Sequence, residues 1–176
     1  VKDAGGAGQD EVLLQGGQAK FATDWSRDGR FLLFSQGAPN DLWVLPLEGD
    51  RKPVPFLATE FLESQGQFSP DARWVAYTSN ESGRLEVYVR PFPAAAAKWK
   101  ISIDGGQFPR WRRDGKELFY LSLERKLMTV AVKTAVSGTR PSFETSAPQA
   151  LFDTLAFNVP PGFNRFQYAV AANGQR

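Results

Sequence analysis

The chain has 176 residues, of which 42% are apolar and 13% aromatic, so it carries enough apolar side chains to fold around a core. It contains no Cys and no His, which excludes thiolate nucleophiles, Ser–His–Asp triads, histidine general bases and ordinary zinc or copper sites. Its 21 basic and 19 acidic residues are interleaved, and the net charge is only +2. We therefore expect no nucleic-acid partner, because that class of protein needs a basic stripe or patch.

Membrane insertion is not expected either. No apolar run approaches the ~20 residues that span a bilayer, and residues 1–6 lack the apolar core of a signal peptide. The lack of Cys leaves the compartment open, since domains without disulfides occur on both sides of the membrane.

A short pattern recurs along the chain: an aromatic residue, two further residues, Asp, then Gly or Ala, then a cation. Its Asp residues are Asp28, Asp71 and Asp114, which follow one another at intervals of 43 residues. Four-stranded propeller blades have repeats of about 40 to 45 residues. A degraded fourth copy at Asn173 comes 59 residues after Asp114. The extra residues are expected to form a long loop in the Pro-rich stretch 134–161.

Each repeat contains four short runs that are rich in β-branched and aromatic residues and bounded by turn residues. In chain order the predicted strands are 21–25, 31–35, 42–47 and 54–57, then 65–68, 74–79, 85–90 and 98–101, then 107–111, 117–121, 127–132 and 149–152. No segment keeps a helical period over three turns. The sequence therefore predicts an all-β protein, a β-propeller whose blades have four antiparallel strands.

Two features of the repeat have structural interpretations. Asp followed by Gly suits the hairpin between the first and second strands, because Asp tolerates a left-handed backbone and Gly accepts a positive φ. Metal binding by these Asp residues is the alternative, although no Asp-rich calcium loop surrounds them. The aromatic residues Trp25, Phe68 and Trp111 end the first strand of each repeat and are predicted to pack between neighbouring blades.

The predicted organisation is an incomplete propeller of three whole blades with partial blades at both ends. Residues 1–19 are assigned to a tail and a preceding blade, with an outer strand at 11–14. The whole blades are 20–61, 62–104 and 105–161, the last with the Pro-rich insertion, and 162–176 begins a further blade with an inner strand at 166–170. The chain is thus expected to be a piece of a longer propeller. Two alternatives stay open: the end strands pair to close a small ring, or two copies complete one ring.

The stretch 68–77 reads FSPDARWVAY, 86–89 reads EVYV and 41–44 reads DLWV. These segments resemble the WD-like repeat of TolB-like β-propellers, a likeness that covers 21–176. Ala72 stands where that family has Gly, so its turn is expected to be slightly strained. Residues 77–84 and 89–93 are similar to propellers that lie C-terminal to bacterial membrane-linked serine/threonine protein kinases, which favours a periplasmic or extracytoplasmic location. The motifs of the kinase domain itself are absent.

The resemblance implies a binding module and not an enzyme: a propeller without cofactor or metal that presents loops to a protein or peptide partner, as the sensor or docking region of a signalling kinase. The alternative is the gating propeller of a prolyl-oligopeptidase-like peptidase whose hydrolase domain lies outside this sequence. A carboxylate-based glycosidase is a third possibility. Propeller ligands usually meet the loops from fourth to first strands and from second to third strands. The candidate contact residues on these loops are Glu60, Glu63, Asn80, Glu81, Arg84, Asp104, Glu124 and Arg125.

Overall fold

The computed structural model describes residues 12–93, 97–137, 140–156 and 167–171, which form thirteen strands and no helix. In chain order the strands are β1 Lys20–Trp25, β2 Phe31–Gln36, β3 Asp41–Pro46, β4 Val54–Leu57, β5 Glu63–Phe68, β6 Trp74–Ser79, β7 Glu86–Pro91, β8 Trp99–Lys100, β9 Gln107–Trp111, β10 Glu117–Leu121, β11 Lys126–Ser137, β12 Arg140–Thr145 and β13 Gln149–Asp153. The all-β prediction is confirmed. The twelve predicted strands agree with observed ones to within a few residues, apart from a longer β11.

The strands form three antiparallel sheets that follow one another along the chain. The first blade is β1-β2-β3-β4 and the second is β5-β6-β7-β8. In the third blade β9, β10 and β11 are neighbours, and β13 pairs with β11 as the fourth strand. This succession of four-stranded antiparallel blades is that of an incomplete propeller.

The blades pack face to face through apolar side chains. Leu33 and Val44 of the first blade share a buried cluster with Phe68 and Val75 of the second. A larger cluster joins the second blade to the third, with contributions from Trp74, Val87, Val89, Leu118 and Val130. Burial of such residues is worth about 1.5 to 3 kcal/mol each, so the interfaces between blades contribute much of the stability.

The prediction of a long loop from residue 134 is wrong in its first part. Strand β11 continues to Ser137 and pairs with β12 in an antiparallel hairpin that extends beyond the blade. Phe143 of β12 anchors this hairpin, with its ring centroid 5.0 Å from that of Trp74, 5.6 Å from Trp99 and 6.1 Å from Trp111. The end of the predicted loop, 157–161, lies outside the described residues.

The three aromatic residues of the repeat differ in burial. Phe68 is 5% exposed and Trp111 is half-buried against the larger cluster, so their predicted packing between blades is confirmed. The prediction is wrong for Trp25, which is 43% exposed. Phe68 packs against Phe31 of the preceding blade, with ring centroids 6.4 Å apart. Among the described residues no sheet precedes the first blade, so Trp25 lacks such a neighbour.

The turn between the first and second strands has the expected conformation in all three blades. Gly29 has φ 75°, Gly115 has φ 73° and Ala72, at the equivalent position, has φ 53°. The predicted strain at Ala72 is therefore confirmed, because its Cβ sits in a backbone region that favours glycine. The Oγ of Ser69 donates to Asp71 Oδ1 at 2.6 Å, which assigns this Asp to the turn itself.

The predicted end strands are not seen as strands. Of the first, 12–14 is described and is irregular, and so is 167–170 of the second. Glu11 and Phe166 lie outside the described residues. The segment 167–171 nevertheless lies against the third blade, because the Oη of Tyr168 donates to the carbonyl of Phe108 in β9 at 2.7 Å.

Candidate functional site

Three of the eight predicted contact residues brace the loops of the second blade. Glu63 is 2% exposed and accepts a hydrogen bond from the Oγ1 of Thr59. Burial raises the pKa of the Glu63 carboxyl, and the hydrogen bond from Thr59 opposes that rise. Asn80 Oδ1 accepts from the backbone N–H of Leu62 at 2.9 Å, and Glu81 pairs with Lys98 at 2.5 Å. These groups hold the loops in place, and each already has a hydrogen-bond or salt-bridge partner within the chain.

Arg84 and Asp104 belong to a second brace, centred on the fully buried carboxylate of Glu86. Arg84 Nε donates to Glu86 Oε1 at 2.9 Å, and its Nη2 lies 3.4 Å from Asp104 Oδ1. Glu86 Oε2 accepts from the Oγ of Ser102 and from the N–H of Gly105, the latter at 3.0 Å. These hydrogen bonds connect the turn before β7 to the segment before β9, and we call Glu86 the hub of this brace.

The remaining predicted residues, Glu60, Glu124 and Arg125, are exposed. Glu124 pairs with Lys126 at 3.1 Å, and the carbonyl of Arg125 accepts from the N–H of Thr154 at 2.8 Å. Asp104 and Glu124 both line one cavity, which has a volume of about 250 Å³. The predicted residues therefore do not converge on a single site.

A polar network that sequence reasoning missed crosses the inner strands β1, β5 and β9. Its members are Asp24, Gln67 and Arg110, each directly before the aromatic residue of its repeat. Gln67 Nε2 donates to the carbonyl of Thr23 at 2.8 Å, and Arg110 Nη1 donates to Gln67 Oε1 at 2.7 Å. Asp24 Oδ2 accepts from the N–H of Phe68 at 2.8 Å. The signal was a polar residue recurring at the 43-residue interval within otherwise apolar runs.

The local backbone explains how these side chains reach their neighbours. The register is interrupted in β1, in β5 and in β9, in each case near the middle of the strand. Such bulges re-aim side chains and are common next to functional sites. Gln65 and Phe108 have positive φ values of 56° and 57° at equivalent places in β5 and β9, which marks the same distortion in both blades.

Burial dominates the electrostatics of the network. It raises the pKa of Asp24 from 3.8 to about 6, against hydrogen bonds from Phe68 and Trp25 and the charges of Arg110 and Arg27. Burial also lowers the pKa of the Arg110 guanidinium and raises that of Tyr168 well above its ordinary value. Asp24 is therefore the group of this network that changes charge nearest to neutral pH.

Asp24 is expected to contribute to the free energy of unfolding by an amount that grows as the pH falls, and Asp24→Asn should remove that contribution. The folded-state pKa of about 6 lies above the ordinary 3.8, so the folded state takes up this proton first as the pH falls. The Asp24 component of the free energy of unfolding should then grow by about 1 kcal/mol between pH 7.5 and 5. Urea unfolding of wild type and Asp24→Asn at pH 7.5 and at pH 5 gives their free energies of unfolding. The difference between the two proteins should change by this amount between the two pH values. Asp41 and Glu63, whose pKa values are also raised, are present in both proteins, so their pH-dependent contributions to the free energy of unfolding should cancel. A difference that does not change with pH would contradict the assignment.

Two further searches concern metals and membranes. Within the described ranges no three Asp or Glu residues come together in a way that could hold a metal ion. None of the described segments is a helix of the length and apolarity needed to cross a membrane.

The chain is similar to several solved propeller structures. TolB from Acinetobacter baumannii superposes with a TM-score of 0.60 at 14% identity, over 78% of this chain and 43% of that one. A TolB from Agrobacterium tumefaciens gives 0.55 at 15% identity, over 77% and 52%. A puromycin-hydrolysing peptidase from Mycobacterium tuberculosis gives 0.64 at 17% identity, over 90% and 27%. The sequence matches no family model and no curated protein.

These similarities concern the fold. The chain spans about half of the length of the two TolB proteins, and identities of 14 to 15% carry no statement about activity. The similar regions are antiparallel blades of the kind that the 43-residue repeat predicts. The architecture of this chain is that of a TolB-like β-propeller.

Proposed function

We propose that this chain is a non-catalytic β-propeller module that binds a protein or peptide partner. The observation that carries the proposal is the exposed apolar area at the end of β1, where the indole of Trp25 is 43% exposed. We call it the first-blade surface. Aromatic residues, Trp among them, are enriched where another protein binds.

The second blade supports this interpretation, because it presents the equivalent aromatic residue in a covered state. Phe68 is packed against Phe31 and Phe92, with ring centroids 6.4 Å and 5.1 Å away. The place of an aromatic residue that a neighbouring blade covers in one repeat is therefore suited to receive protein in the other. A further blade, a second copy of the chain or a separate partner would each bury Trp25.

Absence of catalysis is part of the proposal and is supported by the engagement of the buried acids. Glu63, Glu86 and Asp24 each accept hydrogen bonds from groups that hold loops or strands together. The chain also lacks Cys and His. The finer role, the extracytoplasmic sensor or docking region of a bacterial signalling kinase, is an extension of this proposal.

A second candidate is the propeller of a peptidase. It is favoured by the similarity to the mycobacterial puromycin-hydrolysing peptidase, which extends over 90% of this chain. In that case the first-blade surface would contact the rest of the same propeller, and hydrolysis would belong to another domain. The sequence adjoining this chain in its parent protein separates the two, since a serine-hydrolase motif supports the peptidase and a kinase domain supports docking.

Trp25→Glu is expected to weaken association through the first-blade surface. We would select binders of the chain from a random peptide library and measure their Kd for wild type and variant, with the solution mass of each protein determined by light scattering over a concentration series. The expected result is a loss of at least about tenfold in peptide affinity, or of a wild-type dimer, since a buried charge opposes apolar contact. Glu144→Lys, at an exposed position of the third blade, is the matched control. Failure to find any binder or dimer that depends on Trp25 would contradict the proposal.

A further inference from the structure

A second surface lies where the hairpins between first and second strands end. Arg27, Pro70 and Arg113 occupy the same place in these hairpins of the three blades, at the 43-residue interval. The first and third blades thus carry an arginine where the second carries a proline. The arginine of the middle hairpin, Arg73, comes three residues after Pro70, so the middle blade contributes no cation at this place.

The two arginines are brought together across the middle blade. Arg27 Nη1 donates to the backbone carbonyl of Arg113 at 3.1 Å, although 86 residues separate them in sequence. Arg27, Trp111, Arg113 and Val170 line one cavity of about 380 Å³. A smaller cavity of about 150 Å³ also has Arg27 and Trp111 in its wall and is bounded by Pro70. We call the larger one the two-arginine cleft.

The charge of Asp24 interacts with that of Arg27, but no carboxylate pairs directly with the cleft within the described part of the chain. Neither Arg27 nor Arg113 forms a salt bridge there with a described carboxylate, whereas Arg30, Arg84 and Arg112 do. The acids of the same hairpins are engaged elsewhere. Asp28 accepts from the Oγ of Ser26 at 2.7 Å, and Asp114 accepts from the N–H of Lys116 at 3.0 Å.

The lining of the cleft selects among anions. Guanidinium groups form paired hydrogen bonds with carboxylates, and one of the two here is already held by a carbonyl, which reduces the entropy lost on binding. The indole of Trp111 and the side chain of Val170 supply an apolar wall beside the charge. Because arginine binds carboxylate and phosphate alike, it is this apolar wall that favours a carboxylate next to an apolar group over a phosphate.

We propose that the two-arginine cleft binds a carboxylate of a peptide, with an adjacent apolar side chain against Trp111 and Val170. A C-terminal residue such as Leu presents both groups together, and capture of a C-terminal carboxylate is a recurring mode of peptide recognition. An acidic side chain beside an apolar residue presents the same chemistry. The cleft adjoins the first-blade surface, because Trp25 lines the smaller cavity together with Arg27 and Trp111, but only the cleft depends on the two arginines.

The test uses the intact chain and N-terminally fluorescein-labelled hexapeptides, with binding measured by fluorescence polarisation. The peptides end in Leu with a free carboxylate, in Leu amide, in Gly with a free carboxylate, or in a Leu-Glu amide. We expect the free Leu acid to bind at least tenfold more tightly than its amide and several-fold more tightly than the Gly acid. Equal binding of the Leu-Glu amide would identify an acidic side chain as an accepted source of the same carboxylate.

Variants assign the binding to the cleft. Arg27→Gln and Arg113→Gln should each weaken the free Leu acid by about five- to tenfold, since each removes one guanidinium from the carboxylate. Arg73→Gln, an exposed arginine of the second-blade hairpin, is the matched control and should leave the Kd unchanged. Unchanged thermal unfolding midpoints would show that the variants fold. Equal Kd values for acid and amide, insensitivity to both arginines, or displacement of the peptide by inorganic phosphate at lower concentration than by the unlabelled acid would overturn the proposal.

Discussion

Replacing Phe68 with Ala is expected to lower the free energy of unfolding by about 3 to 4 kcal/mol, whereas the same change at Trp25 should lower it by about 1 kcal/mol or less. Phe68 is 5% exposed and contacts rings of its own blade and of the preceding one, so its removal leaves a cavity at an interface between blades. Trp25 is 43% exposed and has less contact to lose. Urea denaturation of the dilute protein measures both changes.

Trp111→Ala provides an internal control for this series, because its side chain is half-buried and should give an intermediate loss. The order of the three losses is the diagnostic result. An equally large loss at Trp25 would mean that this residue is covered in solution. If that loss appeared only at high protein concentration, the covering element would be a second copy of the chain.

Glu86→Ala is expected to lower the free energy of unfolding by about 3 kcal/mol, because it leaves buried donors without their acceptor. Glu86 is fully buried and accepts hydrogen bonds from the N–H of Gly105 at 3.0 Å, from Ser102 and from Arg84. The same urea experiment measures the loss. The matched control is Glu124→Ala, an acid that is 77% exposed and pairs with Lys126, for which about 0.5 kcal/mol or less is expected. Similar losses at the two positions would contradict the role of Glu86 as a hub.

Much of the fold could be predicted from the sequence because the repeat reports the blade directly. The interval of 43 residues sets the size of a four-stranded sheet, and alternation of apolar residues sets its strands. The hairpin of β11 and β12 escaped prediction because Pro141 and Pro148 suggested a loop. Pro is tolerated in β12 because that strand lies at the edge of its sheet, where a missing N–H costs no ladder bond.

The candidate site was harder to predict, because position on a loop does not report whether a charged side chain is free. Glu63 and Arg84 lie on the predicted loops, yet one is buried and the other is bound to a buried acid. Hydrogen bonds of this kind join residues far apart in sequence, and a single sequence does not reveal them. The two-arginine cleft depends on the same kind of information, since it requires that hairpins 86 residues apart meet.

The β11–β12 hairpin affects how the blades depend on one another. The side chain of Phe143 packs against Trp74 and Trp99 of the second blade, so it joins the second and third blades across their interface. In the same way Phe92, just after β7 of the second blade, has its ring centroid 5.0 Å from that of Phe31 and 6.0 Å from that of Phe56 in the first blade. In a linear array of repeats, cooperativity follows the strength of each nearest-neighbour interface. The three blades should therefore open together as one cooperative unit. The blade that exposes Trp25 is thus held as firmly as the other two, so it should offer this surface to a partner without opening.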